Sequence, residues 1–190
     1  MRPSRGDGRV PGETGIWVFI FGDLVVFTVL FCVFVHERSR SPEEFERGRQ
    51  ALSLTFGTVN TLLLLTGSVC VVLGLHALRR GAARSGAWSF VVTLLCGAGF
   101  VVDKYLEYAH EIQAGHGPSV NVFFMYYFVL TGIHLLHLLI GMAALVIMYR
   151  IARTPAPGAE EMRVLEAGGC YWHLVDLLWI VLFALLYLMR

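Results

Sequence analysis

The chain alternates between long apolar stretches and short polar ones. Five stretches, at about 15–35, 52–78, 87–108, 120–149 and 168–189, each run for 20 residues or more. A helix rises about 1.5 Å per residue, so each can cross a hydrocarbon core about 30 Å thick. Backbone groups in lipid have no water to bond and must be satisfied internally, which a helix does within a single segment. A membrane barrel would show alternating segments of roughly ten residues, and none is present. The expected fold is all-α: an integral membrane bundle of five transmembrane helices.

The connections are polar. Residues 36–50 (HERSRSPEEFERGRQ) read as a charged loop and 79–86 (RRGAARSG) as a short basic loop. Residues 111–119 (EIQAGHGPS) read as a Gly/Pro turn, and 150–167 as a Pro-rich turn followed by a short acidic stretch. The segment 1–13, rich in Arg, Gly and Pro, is expected to be a flexible cytoplasmic tail ahead of a five-helix domain at 14–190. Pro11, Gly12 and Glu13 separate its charges from the first span, which does not fit a signal peptide.

Composition agrees with a membrane protein. Charged residues make up 15% of the chain, against about 25% in an ordinary soluble domain. The net charge of +1 supplies no field for polyanions, so no nucleic-acid partner is expected. Arginine outnumbers lysine fourteen to one, which reads as base composition of the genome. With the N-terminus inside, nine arginines (2, 5, 9, 79, 80, 84, 150, 153 and 163) fall on the cytoplasmic side and five (38, 40, 47, 49 and 190) outside. This bias predicts a multi-pass bacterial inner-membrane protein with a cytoplasmic N-terminus and a periplasmic C-terminus. Cys32, Cys70, Cys96 and Cys170 sit in separate spans and read as apolar filler.

Ionisable residues inside the spans carry the chemical information. Asp23, Asp103, Glu107, His134, His137, His173 and Asp176 each cost free energy if left charged towards lipid, roughly 2.5–3.5 kcal/mol for an Asp at the bilayer centre. They are therefore expected to face the bundle interior. Spacing supports this: Thr131, His134, His137 or Leu138, and Gly141 share one helical face, and His173 and Asp176 lie three apart, as a pair would. Gly99, Asp103, Glu107 and Glu111 step by four, with Lys104 placed to pair with Glu107. Ser53, Asn60, Gly67 and Gly74 repeat every seven residues, a seam of small and polar residues suited to close helix packing. Glu107, His134, His137, His173 and Asp176 are expected to form a buried polar network. No Glu-x-x-His repeat accompanies them, so no metal site is expected. Asp23 and Glu107 remain open as parts of a proton or ion path. Trp17, Trp88, Tyr105, Trp172 and Tyr187 are expected to be interfacial anchors.

The fourth and fifth spans carry a resemblance. TGIHLLHLLIG (131–141) resembles the subunit III pattern of heme–copper oxidases, roughly T-G-F-H-G-L-H-V-I-I-G. YWHLVDLLWIVLFALLY (171–187) is similar to the terminal helix of that family, Y-W-H-F-V-D-V-V-W. NTLLLLTGSVCVVLGLHAL (60–78) and YLEYAHEI (105–112) resemble its N-T-x-x-L-L-x-S-G…A-H-x-x-L and S-E-Y-Y-E segments. GIWVFIFGDLVVFTVLF (15–31) resembles its carboxylate-bearing helix, with Asp23 where Glu is usual. The short form and Asp23 also resemble accessory subunits of some nitric oxide reductases.

The resemblance to cytochrome c oxidase subunit III implies an accessory subunit with no catalytic residues and no activity alone. Its complex would oxidise cytochrome c, reduce dioxygen and translocate protons in an aerobic respiratory chain. Heme and copper would sit in partner subunits, and the partners would be catalytic subunit I and subunit II. This chain would bind no cofactor except a structural phospholipid, in a cleft between the first two shared helices and the rest. Asp23 would take the place of the membrane carboxylate that faces subunit I and supports proton uptake. Trp172 and Trp179 would anchor the last helix. The alternatives are the accessory subunit of a nitric oxide reductase and a stand-alone membrane protein that binds metal or transports ions.

Overall fold

The computed structural model describes residues 14–154 and 157–189; the tail expected at 1–13 lies outside the described residues. The elements are α1 (Thr14–Arg40), α2 (Pro42–Ala51), α3 (Leu54–Arg79), α4 (Ala83–Gln113), α5 (Val122–Ala152) and α6 (Ala159–Phe183), the last continuing as a π-helical turn, Ala184–Leu188. The described residues contain no strand. Every α-helix except α2 is long and apolar enough to cross a membrane. The protein is a multi-pass membrane protein built as a helical bundle.

Helix α6 is the hub. Of its apolar window 56% is buried, against 17% for α1, so α6 is the central helix and α1 a peripheral one. The centre is fixed by Trp172, which is 1% exposed. Its indole lies in a cradle made by Gly67 of α3, Gly97 of α4 and Gly141 of α5. A Cβ added at any of the three would stand 3.2 or 3.3 Å from the ring. Lipid tails are as apolar as Leu, so helices in a membrane associate through close packing, and small residues allow that approach. Further along the α3–α4 contact the Thr93 hydroxyl donates to the Gly67 carbonyl at 3.2 Å. A Cβ at Gly74 would stand 3.3 Å from the Gly86 carbonyl oxygen. Gly81, at φ 77°, takes the left-handed conformation that lets α3 turn back into α4 within a few residues.

Two connections expected as loops are helical. In 36–50, α1 runs on to Arg40 and Pro42 opens α2 rather than breaking a helix, since an N1 residue needs no N–H donor. Helix α2 has Glu43 and Glu44 in its first turn and Arg49 in its last, matching the helix dipole. Phe45 anchors it, edge-on to Phe34 of α1 at 5.3 Å and to Phe123 of α5 at 5.7 Å. Gly48 lies directly under the Phe123 ring. In 150–167, α6 begins at Ala159, where Glu161 accepts from the Gly158 N–H at 2.7 Å and satisfies an otherwise orphaned donor. Both segments are short and amphipathic, a pattern that a search for long apolar runs passes over.

The early start of α6 moves its aromatic residues. Trp172 lies mid-helix rather than near an end, and Trp172, Trp179 and Tyr187 are 1%, 0% and 4% exposed. They are core residues, not interfacial anchors. Trp17, Trp88 and Tyr105 are exposed on the outside of the bundle.

Two outcomes follow from this packing. Gly97→Leu forces the Trp172 indole out of its cradle, and Trp172→Ala leaves a void facing three glycines. Each is expected to lower the unfolding midpoint in mild detergent, at a cost of about 3 kcal/mol. On α2, Arg49 grips the Glu46 carboxylate with Nη2 at 2.5 Å and Nε at 3.0 Å. This hydrogen bonding holds Glu46 at a pKa of about 2, below its ordinary 4.5. A lowered carboxyl pKa stabilises the fold above the ordinary value, and that contribution fades as pH falls from 4.5 towards about 2. A carboxyl NMR titration should show Glu46 as the low outlier on α2, returning towards 4.5 in Arg49→Gln.

Candidate functional site

The buried polar residues occupy separate surroundings rather than one hydrogen-bonded network. The deepest cluster is built on α4, which buries Thr93, Gly97, Phe100, Lys104, Glu107 and Glu111 in steps of three and four. Glu107 and Glu111 of the expected stripe are buried, whereas Gly99 and Asp103 are only half-buried, and Lys104 is buried with the two glutamates. One oxygen of Asp103 is buried without a hydrogen-bond partner.

Lys104 is the only lysine in the chain and is 1% exposed. Its ammonium donates to Glu107 Oε2 at 2.6 Å and to the Tyr187 hydroxyl at 3.2 Å. Tyr187 in turn donates to Glu107 Oε1 at 2.5 Å. The rings of Trp179, Tyr127, Tyr187 and Tyr108 surround the ammonium, with centroids 4.8, 5.4, 5.7 and 5.8 Å away. Cation–π attraction of this kind strengthens when water is excluded. The Tyr108 hydroxyl is bonded to Thr131 Oγ1 at 2.6 Å, and Thr131 donates to the Tyr127 carbonyl at 2.5 Å, joining α4 to α5. The π-helical turn carries Tyr187 in the last turn of the chain's final helix, its ring packed on Phe183 at 5.5 Å. A compact ammonium with three donors suits this cage; the planar guanidinium of arginine does not match its geometry.

Asp23 and His137 form the second group. His137 Nδ1 lies 2.8 Å from the Ile133 carbonyl oxygen. A carbonyl only accepts, so Nδ1 carries a proton. His137 Nε2 faces Asp23 Oδ2 at 3.5 Å, and the two side chains are 14% and 17% exposed. At that distance the two groups are in contact, but Asp23 Oδ2 is buried without a hydrogen-bond partner. The pair bridges peripheral α1 to α5, flanked by Phe27, which stands edge-on to the imidazole at 5.3 Å. Asp23 thus pairs within its own chain, rather than standing unpaired on the outer surface of α1.

The other histidines stand apart. His173 Nδ1 is 2.6 Å from Ser68 Oγ of α3, and no ion pair joins it to Asp176 among the described residues. The expected His173–Asp176 pair is therefore replaced by a bond between helices. One oxygen of Asp176 is buried without a partner. His134 is fully buried between the rings of Phe100 and Trp179, 5.6 and 5.3 Å away, and neither ring nitrogen has a hydrogen-bond partner. It serves as an aromatic core residue. Along the α3 seam, Asn60, Gly67 and Gly74 are buried, Asn60 without a partner for either side-chain atom, while Ser53 is the half-exposed N-cap. Among the described residues no three of His, Cys, Asp and Glu converge to hold a metal ion.

Beside α1, the residues Phe19, Ile140, Ile147, Val164, Gly168 and Tyr171 help to line an apolar groove of about 340 Å³. It lies between α1, α5 and α6. Helix α3 packs along α4 and α6 instead of pairing with α1, so the first two shared helices do not form one wall of a cleft.

Comparison with known proteins decides the family. The model of cytochrome c oxidase subunit III matches residues 11–190. The chain belongs to the cytochrome c oxidase subunit III family. It is 30% identical over 184 residues to quinol oxidase subunit 3 of Bacillus subtilis, covering 92% of this chain and 85% of that one. It is 31% identical over 184 residues to cytochrome c oxidase subunit 3 of Corynebacterium diphtheriae, covering 94% and 88%. It is also 25% identical to part of heme–copper oxidase subunit I+III of Aeropyrum pernix, covering 93% of this chain and 22% of that longer one.

The lysine cluster generates a sharp expectation. Lys104→Leu strands the Glu107 carboxylate and Glu107→Leu strands the ammonium, each costing about 3–5 kcal/mol. The double replacement removes both charges and is expected to be far less damaging than the sum of the two. A double-mutant cycle of unfolding in mild detergent measures the coupling, and additive losses would refute the buried pair.

Proposed function

We propose that this chain is the accessory, non-redox subunit III of a heme–copper terminal oxidase, lying in the inner membrane beside catalytic subunit I and subunit II. The family match across nearly the whole chain is the observation that carries this reading. The Aeropyrum pernix relative, named as subunit I+III, supports a subunit I neighbour. Electron donors differ among relatives, which are named for quinol and for cytochrome c. Cytochrome c remains the proposed donor, and reduction of dioxygen with proton translocation is the reaction of the complex. The three relatives reported above are named as oxidase subunits, which supports the oxidase reading over the accessory subunit of a nitric oxide reductase.

Within that role the Asp23–His137 pair assists proton uptake. It sets a carboxylate of α1, the least embedded of the spanning helices, against an imidazole of α5, and the α1 residues Val18, Phe21, Val26 and Val29 are left open to a neighbour. The groove between α1, α5 and α6 holds a structural phospholipid by its acyl chains; heme and copper belong to the partner subunits. The N-terminus is cytoplasmic, as the arginine distribution favours.

Isolation of the tagged chain in mild detergent is expected to bring down heme-bearing subunits, seen by their reduced-minus-oxidised spectrum. Recovery of the chain alone would overturn the reading. Asp23→Asn is expected to leave that spectrum intact and shorten sustained turnover of the complex, and His137→Gln to do the same. Unchanged turnover over many cycles in both would remove the proton role while leaving the subunit assignment standing.

A further inference from the structure

A second groove lies away from both polar clusters, at the bundle end where α4 begins and α5 finishes. It is a groove of about 590 Å³, a size typical of ligand clefts. Ala87 and Val91 help to form its apolar floor, Trp88 and Tyr149 flank it, and Arg84 and Arg153 stand at its rim. The arrangement is matched on the two helices. Arg84 precedes Trp88 by four residues on α4, and Tyr149 precedes Arg153 by four on α5, so each helix sets one guanidinium one turn beyond one aromatic.

Arg153 is oriented by its own helix, and neither arginine is neutralised among the described residues. Arg153 Nη1 donates to the Tyr149 hydroxyl at 3.1 Å, and its guanidinium lies 5.9 Å from that ring centroid. No carboxylate lines the groove, and among the described residues neither arginine enters an ion pair. Arg79, at the same end of the bundle, is by contrast held by Glu166 at 2.8 Å. Apolar walls below an aromatic pair, with two free guanidinium groups above, match a phospholipid in order: acyl chain, interface, phosphate. Arginine binds phosphate oxygens through paired N–H donors, and basic residues at a membrane surface favour anionic headgroups.

We propose that this groove is a selective site for an anionic phospholipid, separate from the groove beside α1. The occupant is a lipid rather than a free anion because the walls are mostly apolar and belong to two helices long and apolar enough to cross a membrane. The proposal stands independently of the subunit assignment.

The test is native mass spectrometry of the full chain in mild detergent, with phosphatidylglycerol or phosphatidylcholine of identical acyl chains added. Wild type is expected to retain phosphatidylglycerol preferentially, and Arg84→Gln/Arg153→Gln to lose that retention roughly tenfold or more. Arg150→Gln, an exposed arginine on the same end of α5 but outside the groove, is expected to behave as wild type. Equal retention of the two lipids, or an unchanged double variant, would overturn the proposal. Displacement of phosphatidylglycerol by equimolar inorganic phosphate would show a free-anion site and overturn it as well. So would a photocrosslinker at Trp88 that captures a heme-bearing subunit rather than lipid in the isolated complex.

Discussion

A charge inside a bilayer must find its partner within the protein, and the centre of this molecule is arranged around one such requirement. Lys104 is fully enclosed, and its ammonium has no water to turn to. Glu107 neutralises it, Tyr187 ties the two together, and aromatic rings from α5 and α6 close around them. Meeting that requirement brings α4, α5 and the end of α6 to one point. The middle of the same central helix is located by Trp172, whose indole fits only because three neighbouring helices each present a glycine. One contact is electrostatic and the other is packing, and together they give α6 its position and register.

Helix α1 is held differently. It touches the bundle through aromatic contacts and through Asp23 and His137, and most of its apolar surface is left outward. A helix attached this way is secure enough to place a carboxylate and open enough to meet another polypeptide. An accessory subunit needs both properties.

The site was legible where the chemistry was local. Lys104 and Glu107 stand three apart on one helix, and their pairing could be read from that spacing. The wider network could not, because whether His134, His137 and His173 meet depends on helix rotation. His134 turned towards Phe100 and Trp179, His137 towards α1, and His173 towards Ser68 of α3. A rotation of about 100° separates neighbouring residues on a helix, so Asp103 is only half-buried while Lys104 beside it is enclosed. No local signal marked Asn60 as an unpartnered amide, or Tyr187 as the third member of the lysine cluster.

Segment length and hydropathy by themselves determined that five helices cross the membrane, since a bilayer admits little else at that length. Motif spacing was enough to indicate the family, because the motifs occur in order along nearly the whole chain. Tertiary structure alone decided which aromatics became core, where α2 docks and which acid each base finds. Those outcomes depend on distances between helices remote in sequence, and the pattern along any single helix does not contain them.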